Sequence, residues 1–344
     1  MAHQFQSNDY MVSGNNIRPW HGLGAIVEGL MTAQEALIQA KLGWTARKHP
    51  ITLQGSEQII PDSFAVTRDD DNSVLGIVGN SYQILQNADA FNFFDSIAER
   101  GDAVYETAGS LFGGRKIFVT AKIPGLIRVG TGEDISEKYI LLTNNHDGTG
   151  AVTAKIIVTR VVCNNTLTAA MRESGRSVSI RHSSQMHDKL AVASEVLGIA
   201  NSRFQQMEES FNQMAAIQMK EQDVKNFLMR CFEVEMDSKP DTDDKYKNQR
   251  AVIQCLELHE SGKGSEMTRG TLWGAFNAIT EWTSNYRTYK DRGNSSKEDN
   301  KVNSIFFGQS STLTDRAMAE AGKIIKAGAA DVALVTASTK RKRS

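Results

Sequence analysis

The chain has 344 residues, 40% of them apolar and 23% charged, with a formal net charge of -1. That is enough for one large or two ordinary domains with a sizeable core, and the even charge balance excludes a wholesale polycation. The three cysteines, Cys163, Cys231 and Cys255, share no close spacing, which argues against a zinc site or a disulfide framework and for a reducing cytoplasm. Neither an apolar run of membrane-spanning length nor an apolar signal core occurs, so no membrane partner and no secretory peptide are expected.

In chain order, a polar start leads to Pro19-Trp20-His21-Gly22-Leu23-Gly24, where the glycines fit a turn and Trp20 an anchor. Thr32 is a good N-cap with Glu35 three residues on, and Ala33 to Lys41 are strong helix formers stopped by Gly43. Strands are expected over 44–51 and 64–68, then a turn at Asp69-Asp70-Asp71-Asn72 and a return arm from Val74 to Ile84. The three aspartates have no further ligands at calcium-loop spacing and read as a hairpin tip. Asn87 caps a helix over Ala88 to Glu99 that carries Phe91, Phe94 and Ile97 on one face. Four more strands follow, Tyr105 to Phe112, Lys116 to Ile123, Tyr139 to Asn145 and Val152 to Val162, separated by glycine-rich turns.

Residues 187–232 read as helical, with a Leu, Val, Phe and Met stripe that marks core. Further helices are expected at Lys247 to Glu260, Thr271 to Tyr286 and Thr312 to Ile325. The segment 287–301 carries no aliphatic side chain before its end and reads as a mobile loop. The fold class is therefore α+β, an antiparallel hairpin-rich sheet with packed helices followed by a mainly helical C-terminal half. The division is an N-terminal arm and helix over 1–43, a sheet core over 44–185, a helical region over 186–330 and a basic flexible tail over 331–344.

The stretch TAKIIVTRVVCNNTLTAAM, residues 153–171, reads as a strand that stops at Cys163-Asn164-Asn165-Thr166 and restarts as a helix. A cysteine at a helix start can have a lowered pKa, and His146, His182 and His187 lie in the same half. No nucleophile-elbow glycines flank Cys163, however, and a small buried residue fits its Val-Val context better. His182 and His187 are five apart rather than four, and no phosphate-loop pattern occurs. No catalytic residue, metal or cofactor is expected.

Charge segregation points elsewhere. Over 151–190, Lys155, Arg160, Arg172, Arg176, Arg181 and Lys189 are opposed only by Glu173 and Asp188, and Arg115, Lys116, Lys122 and Arg128 lie on the preceding strands. On one face of a sheet these cations form a positive groove of the kind single-strand binders use. Asn164, Asn165 and Thr166 would add hydrogen bonds at the expected helix start. Strand alternation offers Arg160 a second role: on the side of Val158 and Val162 it is a buried arginine that needs a carboxylate or carbonyl partner.

Four stretches carry a resemblance: PWHGLG at 19–24, FAVTRDDDNSVLGIVGNSYQILQNADAFNFFDSI at 64–97, TRVVCNNTL at 159–167, and GTLWGAFNAITEW at 270–282 with SIFFGQSSTLTDRAM at 304–318. In these the chain resembles the phage- and plasmid-like proteins grouped as domain of unknown function 932. The resemblance implies the company of phages and mobile elements in a bacterial cytoplasm. The hairpin sheet followed by a helix is more distantly similar to the core of single-strand annealing proteins, including the recombination mediator of the Rad-fifty-two kind, which form rings and hold one strand by its backbone.

The functional expectation is non-catalytic binding of single-stranded DNA and strand annealing in phage or plasmid replication and recombination, by a homo-oligomer such as a ring. Lys155, Arg160, Arg172, Arg176 and Arg181 would hold phosphates, assisted by Arg115 and Lys116. The alternative is a protein-interaction factor of a mobile element, antidefence or regulatory, marked by an exposed apolar patch.

Overall fold

Alternation at period two builds the centre of the molecule. In the computed structural model the described residues are 11–13, 25–26, 32–100, 103–149, 152–162, 165–170, 172–173, 176–177, 179–180, 189–234, 242–293 and 295–328. The main sheet runs in the order β10-β9-β8-β7-β6-β1-β2, comprising β10 (Asn165–Ala170), β9 (Val152–Arg160), β8 (Asp134–Asn145), β7 (Lys116–Val129), β6 (Val104–Leu111), β1 (Met11–Ser13) and β2 (Ala25–Ile26). All its neighbours are antiparallel except β1 and β2, and β13 (Ser179–Ile180) pairs with the start of β9. A separate antiparallel sheet is made by β3 (Ala46–Thr52), β4 (Ile59–Arg68) and β5 (Val74–Val78), and β11 (Arg172–Glu173) pairs with β12 (Arg176–Ser177) as a short ribbon. The α+β class and the helical C-terminal half are as the sequence implies.

One face of the main sheet carries Ile117, Val119, Ala121, Ile140, Leu142, Ile156 and Val158 into the larger core. That core also takes Phe91 and Phe94 from α2 (Asn87–Arg100), Phe204 and Phe211 from α3 (Lys189–Ala216), Phe227 from α4 (Glu221–Phe232), Val252 and Cys255 from α5 (Asp243–Ser261), and Trp273 and Phe276 from α6 (Leu272–Glu281). The opposite face carries Phe118, Tyr139, Leu141 and Ile157 into a smaller cluster with Val302, Ile305 and Phe306 of α7 (Lys297–Phe306). Such alternation buries both faces of the strands and leaves their register no freedom to slip. At Pro124-Gly125 the register of β7 shifts against β8, because proline lacks the N–H and Gly125 takes a φ of +84°.

The remaining helices are α1 (Ala33–Gln39) and α8 (Gln309–Ala327). Thr32 and Glu35 close the expected capping box on α1. The aspartates of the β4–β5 turn are consumed locally: Asp69 accepts from the Thr45 N–H at 2.8 Å and hydroxyl at 2.6 Å, and Asp70 pairs with Arg68, which stacks on Trp44.

Two expectations are corrected. Residues 165–170 form strand β10, not a helix, and residues 297–301 of the expected loop open α7. The start of α7 is polar because it is fixed by polar contacts: the Ser296 hydroxyl accepts from Asp299 N at 3.0 Å, and the buried Asp299 carboxylate accepts from Phe112 N at 3.3 Å.

Gly274 lets α6 approach α5, since a Cβ there would collide with the Thr268 carbonyl oxygen and lie 3.0 Å from the His259 ring. Gly274→Ala should therefore destabilise by about 1–3 kcal/mol through overpacking. Gly322→Ala, on α8 with nothing within 4 Å, should stabilise by about 0.5–1 kcal/mol through helix propensity. Urea denaturation of the two variants checks the contrast.

Candidate nucleic-acid interface

The junction at 159–167 is a β-hairpin. Arg160 pairs with Asn165, Thr159 with Thr166 and Val158 with Leu167. The helix-forming look of Leu-Thr-Ala-Ala loses to long-range pairing, which buries Leu167 in the core and joins Thr166 N to Ser284 Oγ at 3.1 Å. Cys163 and Asn164, like Arg181, His182 and His187, lie outside the described residues. Cys231 and Cys255 are fully buried, and desolvation pushes both thiols up, away from reactivity.

Arg160 is 3% exposed. Its Nε donates to Asp134 Oδ1 at 2.6 Å, and its two terminal nitrogens donate to Lys263 O at 3.4 Å and Gly264 O at 3.1 Å. The other oxygen of Asp134 accepts from the Trp273 indole at 2.7 Å. Arg160 is thus the buried tie of its two possible roles, and its guanidinium does not line a groove. Thr166 is likewise interior, at 2% exposure. The expectations that Arg160 holds a phosphate and that Thr166 caps a helix are corrected: the carboxylate that arginine needs sits across β8, and the hairpin pairing occupies the threonine.

The other cations gather at the far end of the sheet. Lys116 opens β7 opposite Asn145, and Thr143 of β8 faces Thr153 of β9, two residues from Lys155. Lys116 Nζ lies 4.0 Å and Lys155 Nζ 5.0 Å from the centre of the same Phe307 ring. Lys155 also donates to Phe306 O at 2.7 Å, and Lys116 comes within 3.5 Å of Asn303 Oδ1. Both ammonium groups therefore sit at the negative C-terminal end of α7. Burial pushes the Lys116 pKa down, and the Asp147 carboxylate opposes that shift. Arg115 beside them is exposed. Strand β10 ends at Ala170 opposite Lys155, and β13 returns opposite Thr153 and Val152. The ribbon β11–β12, with Arg172 and Arg176 on its strands, therefore leaves the sheet at this same end. Asn165 is the first residue of β10 and lies at the opposite, Arg160 end.

His146, read above as a possible partner for Cys163, is buried against the Trp44 ring, with Nε2 2.7 Å from Asn87 Oδ1. Sequence reasoning missed a second polar group on the α7-facing side of the sheet. Tyr139 donates to Glu137 Oε2 at 2.5 Å, and Lys122 donates to Glu137 Oε1 at 2.5 Å. Desolvation, and the charge of Glu137, raise the pKa of the neighbouring Glu106. Lys122 pairs with Tyr139 across β7 and β8, a juxtaposition visible only once the register is known.

The family model described as a domain of unknown function, DUF932, matches residues 74–306. The chain belongs to that family. No curated protein and no solved structure matches it. The DUF932 match takes in Asp134, Lys263, Gly264 and Trp273 of the Arg160 tie and the strands of the main sheet from β6 to β10. No helix among the described residues is long and apolar enough to cross a membrane.

The tie yields one stability test. Asp134→Ala removes the carboxylate that holds the buried guanidinium at 2.6 Å and should cost about 3–5 kcal/mol, whereas Asp134→Leu combined with Arg160→Met should recover most of that loss. Chemical denaturation of the three proteins measures it. A pH test follows from the loop that receives Arg160. His259 Nε2 accepts from Gly270 N at 3.1 Å, and burial pushes its pKa down. Below about pH 6.5 the unfolded histidine takes up a proton that the folded one resists, so stability should fall as pH drops through that value. His259→Gln should flatten that limb of the stability–pH curve.

Proposed function

We propose that this protein binds single-stranded DNA through its phosphate backbone, without a catalytic step, and promotes annealing of complementary strands. The observation that carries the reading is the gathering of Arg115, Lys116, Lys155, Arg172 and Arg176 at one end of the main sheet, two on its strands, Arg115 in the turn before β7, and two on a ribbon leaving the same end. A chain of net charge -1 gains an electrostatic footprint only through such segregation, and backbone contacts need cations more than base-reading groups. Assembly into a homo-oligomer such as a ring would line up several of these ends. The company of phages and mobile elements that the resemblance implies would suit an annealing role in phage or plasmid replication and recombination.

The second reading, a protein-interaction factor of a mobile element, is favoured by one feature. The small sheet and the residue after β3 expose Leu53, Ile59, Ile60, Val74 and Ile77, large apolar side chains on the outside of the molecule.

Anisotropy titrations with a labelled oligothymidylate should show affinity that falls steeply with salt. The triple variant Arg115→Ala, Arg172→Ala, Arg176→Ala should lower the slope of log K against log salt by about 2, at roughly 0.7 per phosphate contact on a single strand. Arg160 is left intact because its loss would report on folding. Absence of salt-sensitive binding at low ionic strength would sink the reading.

A further inference from the structure

Three well-buried arginines among the described residues meet carboxylates. Arg68 pairs with Asp70, Arg160 with Asp134 and Arg230 with Glu320. Arg287 is different. It follows the π-helical turn Trp282–Tyr286 that continues α6, and it is partly buried between two aromatic rings. Its guanidinium carbon is 5.7 Å from the Trp282 ring centre and 5.9 Å from that of Tyr289. One terminal nitrogen donates to Ser310 Oγ at 3.2 Å and the other to Gln309 Oε1. Among the described residues no carboxylate pairs with it. Burial depresses its pKa, Tyr289 opposes that shift, and a second cation, Arg292, adds to it. Neutral acceptors and ring faces offset part of the desolvation but cancel none of the charge.

The groups around this guanidinium suit an anion. Ser310 Oγ, which accepts from Arg287, is 3.0 Å from Ser304 Oγ and 3.1 Å from the Tyr289 hydroxyl, which also reaches Thr283 O at 3.4 Å, so the cation borders a cluster of three hydroxyls that can re-orient. A planar guanidinium with donors left over is the group best shaped for two oxygens of a phosphate. The place also adjoins the lysines of the cationic end. Gln309 and Ser310, which accept from Arg287, follow closely on Phe306, whose carbonyl receives Lys155, and Phe307, whose ring receives Lys116 and Lys155.

We propose that Arg287, with Arg292, Ser310 and Tyr289, forms a phosphate-binding site beside β10, occupied by a backbone phosphate of the bound strand. The source of the phosphate rests on the single-strand reading above. The anion site itself rests on a guanidinium with no carboxylate partner among the described residues and on the hydroxyl cluster beside it.

The test uses the full chain and inorganic phosphate, exchanged for chloride at constant ionic strength. Phosphate should raise the melting temperature of the parent protein by about 2–4 °C. Arg287→Gln should abolish that shift, and Arg287→Lys should keep part of it. In chloride alone Arg287→Gln should melt at or above the parent, because it removes an uncompensated charge. Oligothymidylate should compete with phosphate, and Arg287→Gln should lower its salt slope by about 0.7. An equal or absent phosphate shift in parent and Arg287→Gln overturns the site. So does a large loss of stability in chloride, which would make Arg287 a structural strut. An Arg287-dependent phosphate shift without salt-sensitive oligothymidylate binding keeps the anion site and removes both the strand as its occupant and the single-strand reading.

Discussion

The placement of the hairpin that bears the TRVVCNNTL motif depends on one buried charge pair. Asp134 holds Arg160 with one oxygen and Trp273 with the other, and Arg160 spends its remaining donors on Lys263 O and Gly264 O. Sheet, α5–α6 loop and α6 are thereby joined at a single carboxylate. An apolar substitute could fill the same volume at similar stability, so what the ions supply is direction: the fork of Arg160 must meet Asp134 and the two loop carbonyls at once. The nearby Glu281 carboxylate, its pKa raised by burial, accepts from Lys263 N at 3.2 Å and holds the same loop from its other side.

Cations in this protein therefore divide by location rather than by residue type. Arg160 is a tie, and Lys116 and Lys155 lie where the last carbonyls of α7 concentrate negative potential. An ammonium so placed anchors the helix and still adds its charge to the surface field around it, since neither lysine is fully buried. The proposed interface draws on that field, with exposed Arg115 beside it and the arginines of the ribbon beyond.

Much of the architecture could be read from local signals. The capping box at Thr32 and Glu35, the aspartate turn after Arg68 and the paired hairpins all depend on residues close in sequence. The failures have a common cause. Residues 165–170 carry helix-forming side chains yet become a strand because β9 offers a pairing edge and the core accepts Leu167. The opening of α7 looked like loop because the group that fixes it, Asp299, finds its donor on Phe112, far back in the chain. For the candidate site, alternation along β9 was enough to suggest that Arg160 is buried, but its partner Asp134 could not be named without the register. The Lys122, Glu137 and Tyr139 group was invisible for the same reason, and Arg287 lay inside a segment that read as solvent-exposed loop.

The cover over the second face of the sheet arrives late in synthesis. Phe118, Leu141 and Ile157 are complete strands' worth of chain before α7 exists, and the contacts that dock α7 span 151 residues from Lys155 to Phe306 and 187 from Phe112 to Asp299. Until the ribosome has released that helix, one side of the sheet stays greasy and open. Non-local closure of this kind slows folding and lengthens exposure to wrong partners. A nascent chain of this protein is thus a natural client for a chaperone, and a truncation ahead of residue 297 would leave it in that state permanently.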